Sequence, residues 1–152
     1  MMLVAEIMTS EPVTIEPGAL VSQALRLMLE MEFHQLPVIS EHGHLIGIIS
    51  QPDCERALGL DPWSGVGVLP IDNRALVRTF MRPAPVVVEP RTSVQEATRL
   101  MTMHHLRCLP VMRGESLVGI VTVSDLLIAF MQMLHREDQD PIMGDGGNSH
   151  HS

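Results

Sequence analysis

The chain has 152 residues, 45% of them hydrophobic but only 3% aromatic, and a formal net charge of −8. That acidity argues against a nucleic-acid partner, because every one of the ten basic residues is Arg and they form no basic run. Two cysteines, Cys54 and Cys108, give no disulfide framework. The absence of a signal-like start and of a long apolar run points away from a membrane and towards a cytoplasmic protein.

Taken in chain order, residues 13–15 read as a short β-rich entry that Glu16-Pro17 stops. Residues 19–31 repeat apolar side chains at i, i+3, i+4 and i+7 and predict an amphipathic helix. Two strands follow, at 35–39 and 44–50, with His42-Gly43 as their turn. A second helix begins near Asp53. The stretch 61–76 is turn-rich, with Pro62, Gly65, Gly67 and Pro70, and reads as a linker in which Trp63 packs down.

The same series then recurs. Met8, Pro12, Val13, Glu16 and Pro17 match Met81, Pro85, Val86, Glu89 and Pro90 at a constant offset, and Leu36-Pro37-Val38 matches Leu109-Pro110-Val111. After a one-residue deletion, Leu45-Ile46-Gly47-Ile48-Ile49-Ser50 with Asp53 meets Leu117-Val118-Gly119-Ile120-Val121-Thr122 with Asp125. The second copy therefore predicts an entry at 86–88, a helix at 93–104, strands at 107–113 and 116–122 turning at Arg113-Gly114, and a helix from Asp125. Thr92 and Gln95 form a candidate capping box for its first helix, whereas the first copy has Ala19 in the place of Thr92. The expected fold class is α/β: two β-α-β-β-α repeats, at 3–60 and 77–136, packed about a pseudo-two-fold axis into one disc-like module. A disordered tail is expected over 137–152.

The chemically suggestive element is the pair Ser50-x-x-Asp53 and Thr122-x-x-Asp125. A hydroxyl at a helix N-cap with an acid three residues on satisfies orphan backbone N–H groups. The same corner could accept the two hydroxyls of a ribose beside a phosphate-attracting helix start, and the two roles are compatible. No nucleophile, base and orienter set is present, the missing Lys excludes a P-loop, and Gly65-Val66-Gly67 lacks the context of a dinucleotide loop. His42 with His44, and His104 with His105, lack a third ligand at zinc spacing, so no metal is expected. Met28, Met31, Met101 and Met103 read as core or dimer face.

The Met-Thr-x-x-Pro-Val-Thr-Ile entry at 8–15, the two Leu-Pro-Val strands and the two Gly-Ile-Ile/Val-Ser/Thr-x-x-Asp corners resemble the CBS domain, named for cystathionine β-synthase. The tandem resembles a CBS pair, or Bateman module, over about residues 3–135. The resemblance implies a non-catalytic regulatory module that binds an adenine nucleotide (AMP, ADP or ATP) or a related adenosyl ligand such as S-adenosylmethionine between the copies. It requires no cofactor, pairs as a homodimer and signals to an effector protein in trans. It implies a site A of Ile48, Ser50 and Asp53 with Val87, Leu106, Arg107 and Cys108. Site B would combine Ile120, Thr122 and Asp125 with Thr14, Phe33, His34 and Gln35. Arg107 faces His34 in the symmetry, so site A is expected to be the better site for an anionic nucleotide, unless Arg107 is an exposed strand Arg paired with a carboxylate. Cys108 reads as a small buried residue. The alternative function is a structural dimerisation module with degenerate sites, and Met131, Met133 and Leu134 are the candidate dimer face.

Overall fold

The computed structural model describes residues 1–60 and 74–138. The elements are α1 (Val4–Ile7), β1 (Thr9–Ser10), α2 (Val21–Met31), β2 (Gln35–Ile39), β3 (Leu45–Ser50) and α3 (Gln51–Ala57) in the first copy. The second has α4 (Val77–Phe80), β4 (Arg82–Pro83), α5 (Val94–His104), β5 (Cys108–Arg113), β6 (Ser116–Thr122) and α6 (Val123–Asp138). Trp63, Gly65 to Gly67 and the tail beyond Asp138 lie outside the described residues.

The long helices form where the apolar period places them. Val21, Ala24 and Met28 of α2, and Ala97 and Met101 of α5, point inward and are buried. Met31 and Met103 stay exposed. Both helices end on a residue in the left-handed region, Glu32 at φ 59° and His105 at φ 56°, whose N–H closes back on Met28 and Met101. The α5 cap falls one residue later than the sequence suggested. Ser93, extended at φ −71°, takes the Glu96 N–H on its hydroxyl at 3.0 Å, while the Thr92 hydroxyl accepts from Glu89 N–H at 3.0 Å and is spent on the preceding turn. In α2 no side chain caps the start, but Gln23 reaches back to the Leu20 N–H at 2.9 Å.

Each copy folds its strands as an antiparallel hairpin, Pro37 opposite Ile48 in one and Pro110 opposite Ile120 in the other. Gly43 and Gly114 turn them at φ 83° and 61°, values that an L side chain rarely tolerates. The entries 13–15 and 86–88, expected as strands, make only single parallel bridges, Ile15 to Val38 and Val88 to Val111. The prolines at 12, 17, 85 and 90 that flank them leave too few N–H donors for a longer ladder.

The third strand of each sheet comes from the other copy. β1 pairs with β6, Thr9 opposite Ile120 and Ser10 opposite Gly119, and β4 pairs with β3, Arg82 opposite Ile48 and Pro83 opposite Gly47. The helical turns before them follow. Val4 is buried in the core of Val88, Ala97, Met101, Leu109, Val111 and Val121, and Val77 with Ala75 in that of Val21, Met28, Leu36 and Ile49. Backbone bonds lock both: Val4 N–H to Thr92 O at 2.8 Å, Val94 N–H to Met2 O at 2.9 Å, Val77 N–H to Ala19 O at 2.9 Å and Val21 N–H to Ala75 O at 2.9 Å. This reciprocal exchange is the symmetry of a pseudo-two-fold pair, and it gives each small sheet the cover it lacks alone. No helix among the described residues is long and apolar enough to cross a membrane.

Candidate functional site

The two acidic corners sit at equivalent ends of the two hairpins. Ser50 ends β3 and caps α3, and Pro52 presets the first turn. The Ser50 hydroxyl accepts the Asp53 N–H at 3.2 Å, and Asp53 Oδ2 accepts both the Ser50 N–H at 2.9 Å and the Ser50 hydroxyl at 2.7 Å. Asp53 Oδ1 accepts from the guanidinium of Arg56. Asp53 is the one buried charged side chain among the described residues, 2% exposed. At the second corner Asp125 Oδ2 accepts the Thr122 N–H at 2.8 Å and the Thr122 hydroxyl accepts the Asp125 N–H at 3.2 Å. Asp125 is half-buried, and its Oδ1 has no partner among the described residues.

The strand beginning each Leu-Pro-Val run borders the corner of its own copy. Gln35 pairs with Ser50, the Gln51 N–H donates to His34 O at 2.9 Å, and His34 Nδ1 lies 3.3 Å from Gln51 Oε1. In the second copy Cys108 pairs with Thr122, and the Val123 N–H donates to Arg107 O at 3.0 Å. The link across the copies is Arg82. It pairs with Ile48 in the first sheet, and its charge acts on Cys108 in the second. Sequence comparison of the copies passes over Arg82 because its counterpart is Thr9; an Arg facing a neutral residue within a matched run was the available signal.

The other expected residues divide by burial. Phe33 and Leu106 pack against the first and second cores respectively. Ile120 is buried, Ile48 is half-buried, and Val87, His34 and Arg107 are exposed. Arg107 has no carboxylate partner among the described residues. Thr14 lines a groove between α2 and the end of β2, walled by Gln23, Arg26, Ile39 and Glu41.

Neither thiol is set up as a nucleophile. Burial pushes Cys54 up to about 12, with the neighbouring Asp53 and Glu55 charges adding to it. Cys108 is also pushed up to about 12 by burial, against the smaller opposing pull of Arg82. The His42-Gly43-His44 turn meets the second hairpin, with His44 Nε2 at 3.6 Å from Glu115. No cluster of three or more potential metal ligands occurs among the described residues.

The CBS domain family model matches residues 4–59 and again 77–132. The chain belongs to the CBS domain family. Among curated relatives it is 30% identical over 149 residues to the CBS domain-containing protein CBSX1, chloroplastic, of Arabidopsis thaliana, covering 83% of this chain and 62% of CBSX1. It is 31% identical to an A-adding tRNA nucleotidyltransferase of Geobacter sulfurreducens, covering 81% of this chain but only 13% of that enzyme. The chain thus spans less than two thirds of the length of these relatives. In structure it is similar to AcuB of Vibrio cholerae, with TM-score 0.75, 25% identity and coverage of 92% and 98% of the two chains. It is also similar to CBSX2 crystallised with AMP, with TM-score 0.72, 27% identity and coverage of 88% and 99%. The enzyme match is confined to the paired module.

Proposed function

We propose that this CBS pair is a non-catalytic cytoplasmic sensor. It binds an adenine nucleotide or related adenosyl ligand between its repeats and passes the signal, as a homodimer, to an effector protein in trans. The observation that carries the reading is the repeated corner, a carboxylate fixed by a Ser or Thr N–H at the end of each hairpin. A carboxylate so held can accept both hydroxyls of a ribose. The likeness to a CBS pair that binds AMP supports adenosine as the carrier of that ribose.

Site A is then built from Ser50 and Asp53 with the apolar surfaces of Ile48 and Val87 for the base, and Leu106 and Cys108 behind them. Arg107 supplies the charge for phosphate, joined by Arg82, which pairs with Ile48 and whose charge acts on Cys108. Site B combines Thr122, Asp125 and Ile120 with Thr14, Phe33, His34 and Gln35. Lacking a fixed cation, it suits a less charged adenosyl ligand. Ligand would act by binding two arrangements of the repeats unequally.

Thermal unfolding in the presence of AMP, ATP, NAD or S-adenosylmethionine tests the reading. A ligand at about 100 times its Kd adds roughly 2.7 kcal/mol, a midpoint shift of several degrees that grows with concentration. A flat response to all four would favour a dimerisation module with degenerate sites, and turnover of any of them would contradict a non-catalytic role.

A further inference from the structure

The related corners differ in the partners of their carboxylates, which the repeat does not predict. Asp53 has both oxygens engaged, Oδ2 by the N–H and hydroxyl of Ser50 and Oδ1 by Arg56. Among the described residues Asp125 accepts only the Thr122 N–H, on Oδ2. The difference at Oδ1 traces to one position: counting from Asp53 and Asp125, Arg56 in the first copy is Ile128 in the second. Arg56 stands one helical turn after Asp53 on α3, the i,i+3 spacing at which an Arg reaches a carboxylate. It bridges two environments, with its side chain 54% exposed while that of Asp53 is 2% exposed.

We propose that Arg56 is a latch on site A. Its guanidinium occupies the carboxylate oxygen that a ribose hydroxyl must reach, so a nucleotide enters only by displacing it. The inference rests on the adenosyl reading and adds to it a residue that sets the affinity of site A. Displacement is feasible because the Arg56 head already lies half in water and can be rehydrated without leaving a buried cation. It is not free, since Asp53 Oδ1 loses a charge-assisted partner that the ribose must replace. An anionic nucleotide can offset that loss at Arg82 and Arg107; a neutral nucleoside cannot. Site B has Ile128 in place of Arg56 and opens without such a step. A less charged adenosyl ligand therefore enters the Asp125 corner without displacing a cation, and the charged cleft takes an anionic nucleotide only once Arg56 has swung away.

AMP titrations by calorimetry on the full chain test this. Asp125→Ala isolates site A, and adding Asp53→Ala to it should remove the remaining binding. In the Asp125→Ala background, Arg56→Met should tighten AMP binding about two- to fivefold, the range released when one half-exposed ion pair no longer has to be broken. Arg56→Lys keeps the charge but loses the planar fork, and should tighten it less; it serves if the Met variant folds poorly. Unchanged or weaker AMP binding in the folded Arg56 variants would overturn the latch while leaving the adenosyl reading intact, weaker binding marking Arg56 as a direct ligand contact. Absence of AMP binding in the wild type and every variant would instead overturn the adenosyl reading, and the latch with it.

Discussion

At Gly47 and Gly119 the exchanged segment runs alongside as the neighbouring strand of the sheet and comes close to the glycine Cα. A Cβ on Gly119 would stand 2.5 Å from Met8 Sδ and 3.0 Å from Thr9 O, and one on Gly47 2.6 Å from Met81 Sδ and 2.8 Å from Arg82 O. These glycines are needed for close approach, and each is matched in its own sheet to the Met of the segment that crosses it. The two contacts are not equivalent, because a Met side chain can swing aside and a carbonyl within a ladder cannot. Gly119→Ala and Gly47→Ala should each destabilise by about 1–3 kcal/mol, the usual cost of overpacking. Met8→Ala should recover most of the loss at Gly119, while Met81→Ala recovers less at Gly47, where Arg82 O remains. Urea midpoints of the single and double variants give the coupling directly, and strict additivity at Gly119 would refute the account. The sequence displayed the Gly and the Met of each copy as matched letters. That they meet across copies is a tertiary fact that no spacing within one copy encodes. Arg56 escaped for a related reason: it lies beyond the Ser-x-x-Asp pattern and draws meaning only from the oxygen it occupies.

Among the elements, those set by local periodicity were legible. The apolar period of α2 and α5 and the turn glycines at 43 and 114 placed helices and hairpins within a residue or two, because burial of one face decides both. The cap lies at Ser93, one position beyond Thr92, which is also a good capping residue; only the turn that consumes the Thr92 hydroxyl separates them. The exchange of α1 and α4 was not legible. A helix of four residues has no periodicity, and repeat register says nothing about which copy it covers. This exchange predicts where damage will appear. Val4 is fully buried in the second core although it opens the first copy. Val4→Ala should cost about 2 kcal/mol for the carbons removed and the void left. Hydrogen exchange should show faster loss of protection at Val94, whose N–H is held by Met2 O, and along β5 and β6 than along β2 and β3. Equal or greater loss in β2 and β3 would mean that α1 supports its own copy after all.

At the scale of the whole molecule, α6 leaves an apolar face exposed. Leu127, Ile128, Phe130, Met131, Met133 and Leu134 are all exposed, Met131 at 66% and Phe130 at 57%, while Ala129 between them is buried. Residues 126–134 contain no charge, in a chain whose net charge is −8. That combination favours a second copy over an unrelated acidic or basic partner. In a two-fold interface each residue lies near its own counterpart, so a charged face repels itself and an uncharged apolar face does not. An apolar stripe of this size left in water is also a solubility liability that pairing removes. Sedimentation equilibrium should therefore give a dimer for the wild type. Met131→Glu with Phe130→Glu, which places like charges face to face across the axis, should give a folded monomer. The surface position of both side chains predicts that the monomer keeps its far-ultraviolet spectrum, since neither belongs to a core. A wild-type monomer at micromolar concentration, or a double variant that remains dimeric, would exclude α6 as the interface. If the monomer still binds AMP as the dimer does, binding belongs to the paired repeats alone and does not need the α6 interface.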